Sequence, residues 1–401
     1  MTTHSNTNNR LSGSKIIQSA ILAAIVGTTS HSALADNTAG VKHPLWYNEP
    51  TAKTMELAKI DDLTNTVVSD GQRGETGFPA KDITLTDAQI AKIKEGNFTV
   101  AISMGWLGDD WASQQLIGLT ETFENLGIKV VAQTNANWND AKQIADLEAI
   151  SVLKPDLLVS IPLNGQTTAS AYKRISDAGT KVVFIDQAVE GMDPGKDYAA
   201  IISSDNLALG MYLADELARS IDYKGDVGAM YYANDFYVTN LRYEGFIARL
   251  RAKYPEVNLV VAAGHNDPNK GQEVAQGVLA RYPNLKGLYA SWSIPAMGAV
   301  TAARVAGKSP EEFRIVNENF DQIVALNMAQ NDFIAGISSQ RPYDQGVAEA
   351  KIGALALIGE ETPPYVVVPP LAVNRDNLAD SYKTIYRIDL PGEMTEELNN
   401  G

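Results

Sequence analysis

Short apolar runs alternating with amphipathic stretches fill the chain from Asn97 onward, and this rhythm predicts a repeated strand–helix fold. Phe98–Ser103 reads as the first strand. Ala112–Asn125 follows as a helix whose Leu116, Leu119 and Phe123 share one face, with Gly127 ending it. Lys129–Gln133, Leu157–Ile161 and Lys181–Ile185 read as further strands, separated by helices over Asp140–Leu153 and Thr168–Ala178. Strands joined by helices in this order argue a parallel sheet covered on both faces.

The rhythm restarts at Ala199. Strands are expected at Ala200–Ile202, Asp226–Tyr231, Asn258–Ala262, Gly287–Ala290 and Arg314–Val316, and helices at Leu207–Ile221, Thr239–Tyr254, Lys270–Arg281 and Ala296–Ala306. Two similar α/β lobes therefore follow one another. Ile334–Ser338 and Tyr365–Val368 read as strands that return to complete the sheets, so the chain crosses between lobes more than once and forms a hinge.

The first 35 residues have a different pattern: a polar stretch with Arg10 and Lys15, an apolar core from Ile16 to Val26, then Ser32-Ala33-Leu34-Ala35. This predicts a secretory leader cleaved after Ala35, because the apolar core is too short to span a bilayer. Asp36 to Gly96 carries Pro44, Pro50, Pro79 and a Gly-rich tract, and reads as a loop-rich extension with short helices rather than a domain. It is expected either to wrap the first lobe, anchored by Trp46 and Tyr47, or to mediate self-association.

Charge and composition narrow the function. Net charge is −15, which disfavours nucleic acid and anionic membranes as partners. No cysteine is present, which excludes disulfides, a thiol nucleophile and a lipid-modified cysteine. Phosphate-binding glycine loops, G-x-S-x-G and H-E-x-x-H are all missing, and only His43 and His265 lie beyond the leader. A binding protein without cofactor or metal is expected rather than an enzyme.

In open parallel sheets ligands bind beyond the carboxyl ends of the strands, so the residues there are the candidate site. After the first strand stand Trp106, Asp109, Asp110 and Trp111, indoles bracketing carboxylates, as a polyhydroxylated ligand requires. The same residues also fit a helix N-terminus with Asp at its dipole and tryptophans in the core. Asn164 and Asp186 follow later strands and equally suit turn caps. Asn240 and Arg242 open a helix, where an arginine opposes the dipole; ligand oxygens or an ion pair with Glu244 or Asp235 would account for it. Trp292, Asn319 and Gln340 complete the set at the ends of three later strands.

The phrases "SIPLNGQ", "KVVFID" with "IISSDNLALG", "RYEGF", "YASWSIPAMGAV" and "AGISSQRPYDQG" leading to "YVVVPPLAVNRDN" occur in order between Asn97 and Tyr386. Together they resemble the ribose-type periplasmic binding proteins, relatives of the LacI-type ligand-binding domains. The resemblance implies a type I periplasmic binding protein: two Rossmann-like lobes with parallel sheets and a three-crossover hinge, here near Ile185, Gln340 and Pro370. It implies a first lobe of 97–185 plus 341–369, a second of 186–340 plus 370–390, and a tail of 391–401. By position it places Trp106, Asn164, Asp186, Arg242, Asn266, Trp292, Asn319 and Gln340 in the cleft. It also implies a periplasmic monomer that takes a sugar or polyol to an ABC permease and its ATPase. Trp292-Ser293 stands where the family usually has Asn-Asp, and Asn319 where Asp is frequent, which points to a ligand shaped differently from ribose. A cationic ligand caged by Trp106, Trp111 and Trp292, and a sensory receptor for chemotaxis, are the alternatives.

Overall fold

The computed structural model describes residues 36–400; the expected leader lies outside the described residues. In chain order the strands are β1 (Phe78–Pro79), β2 (Thr99–Met104), β3 (Lys129–Asn135), β4 (Leu157–Ser160), β5 (Lys181–Ile185), β6 (Ala200–Ser204) and β7 (Gly225–Tyr232). They continue with β8 (Val257–His265), β9 (Gly287–Ala290), β10 (Arg314–Glu318), β11 (Ile334–Ser339), β12 (Tyr365–Val368) and β13 (Leu371–Val373).

These strands form two sheets. The first, of seven strands, runs β1-β12-β6-β5-β4-β2-β3 and is parallel throughout. The second, of six strands, runs β13-β11-β10-β9-β7-β8 and is parallel except for β13 at its edge. Helices on both faces bury the central strands, which is why β4, β6, β9 and β12 are buried at every position and read as unbroken apolar or small-residue runs. Asp109, Asn139 and Asp205 cap the helices that follow β2, β3 and β6, each side chain accepting a backbone N–H of the first turn.

Close helix packing depends on glycine. A Cβ at Gly210 would sit 1.9 Å from the carbonyl oxygen of Arg242, so helix Asn206–Ser220 approaches helix Tyr237–Lys253 closely only because the side chain is missing. None of the described helices is long and apolar enough to cross a membrane.

One of the three expected crossovers moves. Strand β6 was expected to open the second lobe but pairs with β5 and β12 in the first sheet, so the first crossover lies at Asp205 rather than near Ile185. The apolar run at 200–204 identifies a strand, whereas the sheet it joins depends on a fourteen-residue connection, 186–199, that has no helical periodicity to read. The other two crossings fall between β11 and helix Pro342–Leu357 and between β12 and β13, where they were expected. The tail forms helix Gly392–Asn400, which packs Met394 into the core of the second lobe. Trp46 and Tyr47 pack on the second lobe, against Tyr231 and Tyr243, not on the first.

Candidate functional site

A cavity of about 880 Å³ lies where the carboxyl ends of the two sheets face each other. Its size suits a small ligand. Ten of the twelve residues expected from the sequence line it: Trp106, Asp109, Trp111, Asn164, Asp186, Asn240, Arg242, Trp292, Asn319 and Gln340.

Asp110 and Asn266 do not. The Asp110 carboxylate turns to the second lobe, accepting the Gln322 backbone N–H at 2.8 Å and the Tyr386 hydroxyl at 2.9 Å, and so ties the lobes together behind the cavity. Asp109 is the N-cap, in extended conformation, whereas Asp110 is the first helical residue, and the two carboxylates take different directions. Asn266 follows the end of β8 and is exposed outside the lining.

The floor of the cavity is polar and comes from both lobes. From the first lobe, Asn164 accepts the backbone N–H groups of Gln166 and Thr167 through Oδ1, at 2.9 and 3.1 Å, so the turn-cap role and the cavity position coexist. Asp186 is buried, its Oδ1 accepting from Ser203 at 2.9 Å and from Gln345 at 3.1 Å. Burial raises its pKa, and the nearby Arg242 guanidinium opposes that shift.

From the second lobe, Arg242 is 2% exposed and donates to Glu318 at 2.5 Å and to Asn206 at 2.8 Å. Neither expected partner, Glu244 nor Asp235, holds it. Instead the fully buried Glu318 carboxylate, which also accepts the Tyr289 hydroxyl, fixes the guanidinium at the cavity floor. Gln340, at a crossover, accepts from Trp111 of the first lobe at 3.1 Å and donates to Asn319 of the second at 2.8 Å.

The walls are aromatic and continuous across the cleft. Trp111, Trp106 and Trp138 stack in series, with centroid spacings of 5.3 and 4.1 Å. Trp138 then meets Trp292 of the other lobe at 6.2 Å, and Trp292 packs on Tyr232 at 4.9 Å. Both faces of Trp106 are thus covered by indoles, and Trp138 and Trp292 are the indoles that meet across the cleft, alongside Tyr232, Phe236 and Tyr237 in the lining. Trp138, 48% exposed, was missed in the sequence. It stands three residues beyond the end of β3, and the expected strand stopped two residues short, at Gln133.

Backbone strain gathers at the same place. Asp186, Trp292 and Asn319 have φ of 64°, 60° and 69°. For Trp292, with ψ at 170°, this is a region that glycine alone enters freely. Holding an indole there costs roughly 1–3 kcal/mol, which points to its placement serving the cavity rather than the fold.

Carboxylates from the two lobes also approach each other. Asp109 caps its helix through Ala112 and accepts from Trp106 Nε1 at 3.0 Å, with its pKa raised by burial. Asp321, another cavity residue the sequence did not reveal, is pushed up to about 7, chiefly by burial and further by the charges of Asp109 and Asp110. A carboxyl whose folded pKa stands above its unfolded value stabilises folding at low pH and gives that up as pH rises through the folded value. Asp321→Asn is therefore expected to leave the melting temperature unchanged near pH 4 and to raise it at pH 8. Thermal melts across that range check this; a difference that does not vary with pH would contradict it.

Comparison with known proteins agrees with this architecture. Residues 100–361 match the model of the periplasmic binding protein domain, and the chain belongs to that family. It is 25% identical over 265 residues to the ribose import binding protein RbsB of Escherichia coli K12, covering 66% of this chain and 86% of that one. It is 22% identical to the D-allose-binding periplasmic protein of the same organism, covering 59% and 76%. Among solved structures, it superposes on an ABC transporter solute-binding protein from Agrobacterium vitis bound with α-D-tagatopyranose, with a TM-score of 0.66 and 23% identity. That match covers 73% of this chain and 100% of the other. A carbohydrate transporter solute-binding protein from Agrobacterium radiobacter in complex with D-arabinose gives a TM-score of 0.64 at 21% identity, covering 72% and 99%. These last two likenesses establish the fold: two α/β lobes of mostly parallel strands around a cleft.

Proposed function

We propose that the cleft captures a neutral sugar or polyol by hinge closure and that the protein delivers it, in the periplasm, to an ABC permease and its ATPase. One observation carries the reading: both lobes contribute a hydrogen-bonding floor (Asn164 and Asp186; Arg242 and Asn319) and an indole wall (Trp138; Trp292) to a single cavity. Such a ligand presents hydroxyls to the floor and C–H faces to the indoles, and contacts from both lobes favour the closed state. Micromolar capture needs roughly 8 kcal/mol, or about 0.7 per heavy atom for a twelve-atom sugar, within reach of binding alone. The names of the relatives, ribose import and D-allose-binding, support the ligand class and the compartment. The leader expected at residues 1–35 fits export.

A second reading is favoured by the carboxylates. Asp109, Asp140, Asp186, Glu190, Asp235 and Asp321 line the cavity, and Arg242, paired with Glu318, is the lining's guanidinium. That surplus beside indoles would also hold an organic cation.

A thermal-shift screen of the mature protein against D-ribose, D-allose, D-arabinose, D-tagatose, erythritol, inositol and choline separates the readings. A sugar or polyol at a hundred times its Kd is expected to stabilise by about 2.7 kcal/mol. A response to choline alone would transfer the site to the second reading, and no response to any of them would end both.

A further inference from the structure

The matched family domain begins at residue 100, and both solved structures are covered almost end to end by less than three-quarters of this chain. The extension before residue 100 is therefore largely additional to them, and the structure shows where it goes. Its first half is anchored on the second lobe. Asn37 donates to the carbonyls of Tyr254 and Val257 at 2.9 and 2.7 Å, and its own carbonyl accepts from Leu259 at 3.0 Å. Trp46 donates to the Ala233 carbonyl at 3.1 Å. Buried Arg249, held by Asp215 at 2.7 Å, donates to the carbonyls of Ala58 and Ile60 at 2.8 and 2.5 Å.

The segment then reaches the hinge. Asp205, at the first crossover, accepts the Val68 backbone N–H and the Ser69 hydroxyl, both at 2.7 Å, and the Ser69 hydroxyl in turn accepts from the Leu207 N–H at 2.9 Å. A small hairpin follows, closed by the antiparallel bridge between Asp70 and Thr76. Its Asp70 carbonyl accepts the Tyr237 hydroxyl of the second lobe at 2.8 Å. Two residues on, Gln72 Oε1 accepts the Ala188 N–H of the first lobe at 2.9 Å, and Arg73 pairs with Asp193 of that lobe at 3.1 Å. The chain then enters the first sheet as β1, paired with β12. Tyr237, Gln72 and Ala188 all line the cavity, so the hairpin runs along one side of the cleft and touches both lobes there.

We propose that residues 36–79 form a fourth connection between the lobes, one that walls this side of the ligand cleft and limits how far it opens. Three crossovers at a hinge permit rotation about it; a strap fixed to both lobes beside the cleft adds a further tether that resists that rotation. The strap also leaves the wall at Gln72 in place when the cleft opens, so a ligand enters from elsewhere.

The absence of native cysteine allows a direct test. Val152→Cys in the first lobe and Val305→Cys in the second, at positions 79% and 69% exposed, accept spin labels for a distance measurement without added ligand. A specific protease site is placed between Asp70, which holds Tyr237 of the second lobe, and Gly71, ahead of the first-lobe contacts of Gln72 and Arg73, and cut after folding, with circular dichroism confirming that the fold survives. A longer inter-label population, absent before cutting, is the expected result. Six Gly/Ser residues inserted at the same point, uncut, should produce the same longer population by slackening the strap. Unchanged distances in both forms, or loss of the fold on cutting together with unchanged distances in the insertion variant, overturn the proposal. Because the readout uses no ligand, its failure leaves the sugar-binding reading standing, and failure of the sugar screen leaves the strap standing.

Discussion

Arg242→Met is expected to destabilise the ligand-free protein by about 3–5 kcal/mol, because it leaves the Glu318 carboxylate buried without its counter-charge. An arginine serving only as a ligand contact would melt normally when replaced. Here the guanidinium is held by Glu318 and Asn206, and the same residue lines the cavity. The same side chain thus has a structural and a binding part. Adding Glu318→Gln should recover a good share of the lost stability, since a neutral amide still accepts from Tyr289 and carries no unpaired charge. Ligand binding should remain lost in the double variant. Chemical denaturation of the single and double variants measures the first effect, and calorimetry against the sugar that responds in the screen measures the second. A single variant as stable as the parent would show that water reaches Glu318 after all.

Trp138→Ala is expected to weaken sugar binding at least tenfold, about 1.4 kcal/mol, while costing the ligand-free fold under about 1.5 kcal/mol. The separation follows from exposure: Trp138 is half exposed and stacks on Trp106 alone within its own lobe, whereas Trp111 is 4% exposed and sits in the first-lobe core. Trp111→Ala should therefore lose roughly 3–5 kcal/mol of stability. Equal affinity in Trp138→Ala and the parent would remove the indole wall from the binding account. The contrast also sets apart two tryptophans whose sequence settings, each just beyond a strand, look much alike.

Much of this molecule follows from local pattern alone. Buried parallel strands must be apolar on both faces and their helices on one, so the succession of strands and helices from Thr99 to Glu318 is written in hydrophobic period, and with it the α/β class, whereas helices Gln322–Ala329 and Pro342–Leu357 were not expected. The rule that ligands gather at strand carboxyl ends then selects residues that line one cavity, ten of the twelve expected, because it depends on topology and not on side-chain detail. Tertiary structure decided what the period does not encode. A strand such as Ala200–Ser204 carries no label saying which sheet it joins, and only its pairing with Val183–Ile185 and Tyr365–Val368 put the first crossover at Asp205. The division of labour between Asp109 and Asp110 arises from the cap position of Asp109 and from the approach of Gln322 and Tyr386 to Asp110, more than 200 residues away. The extension has only short helices, Ala52–Leu57 and Asp87–Gly96, and no period that fixes its path between them. Its route over the second lobe, past Asp205 and into the first sheet is held by side chain to backbone hydrogen bonds between residues distant in sequence, and contacts of that kind exist only once both lobes have folded.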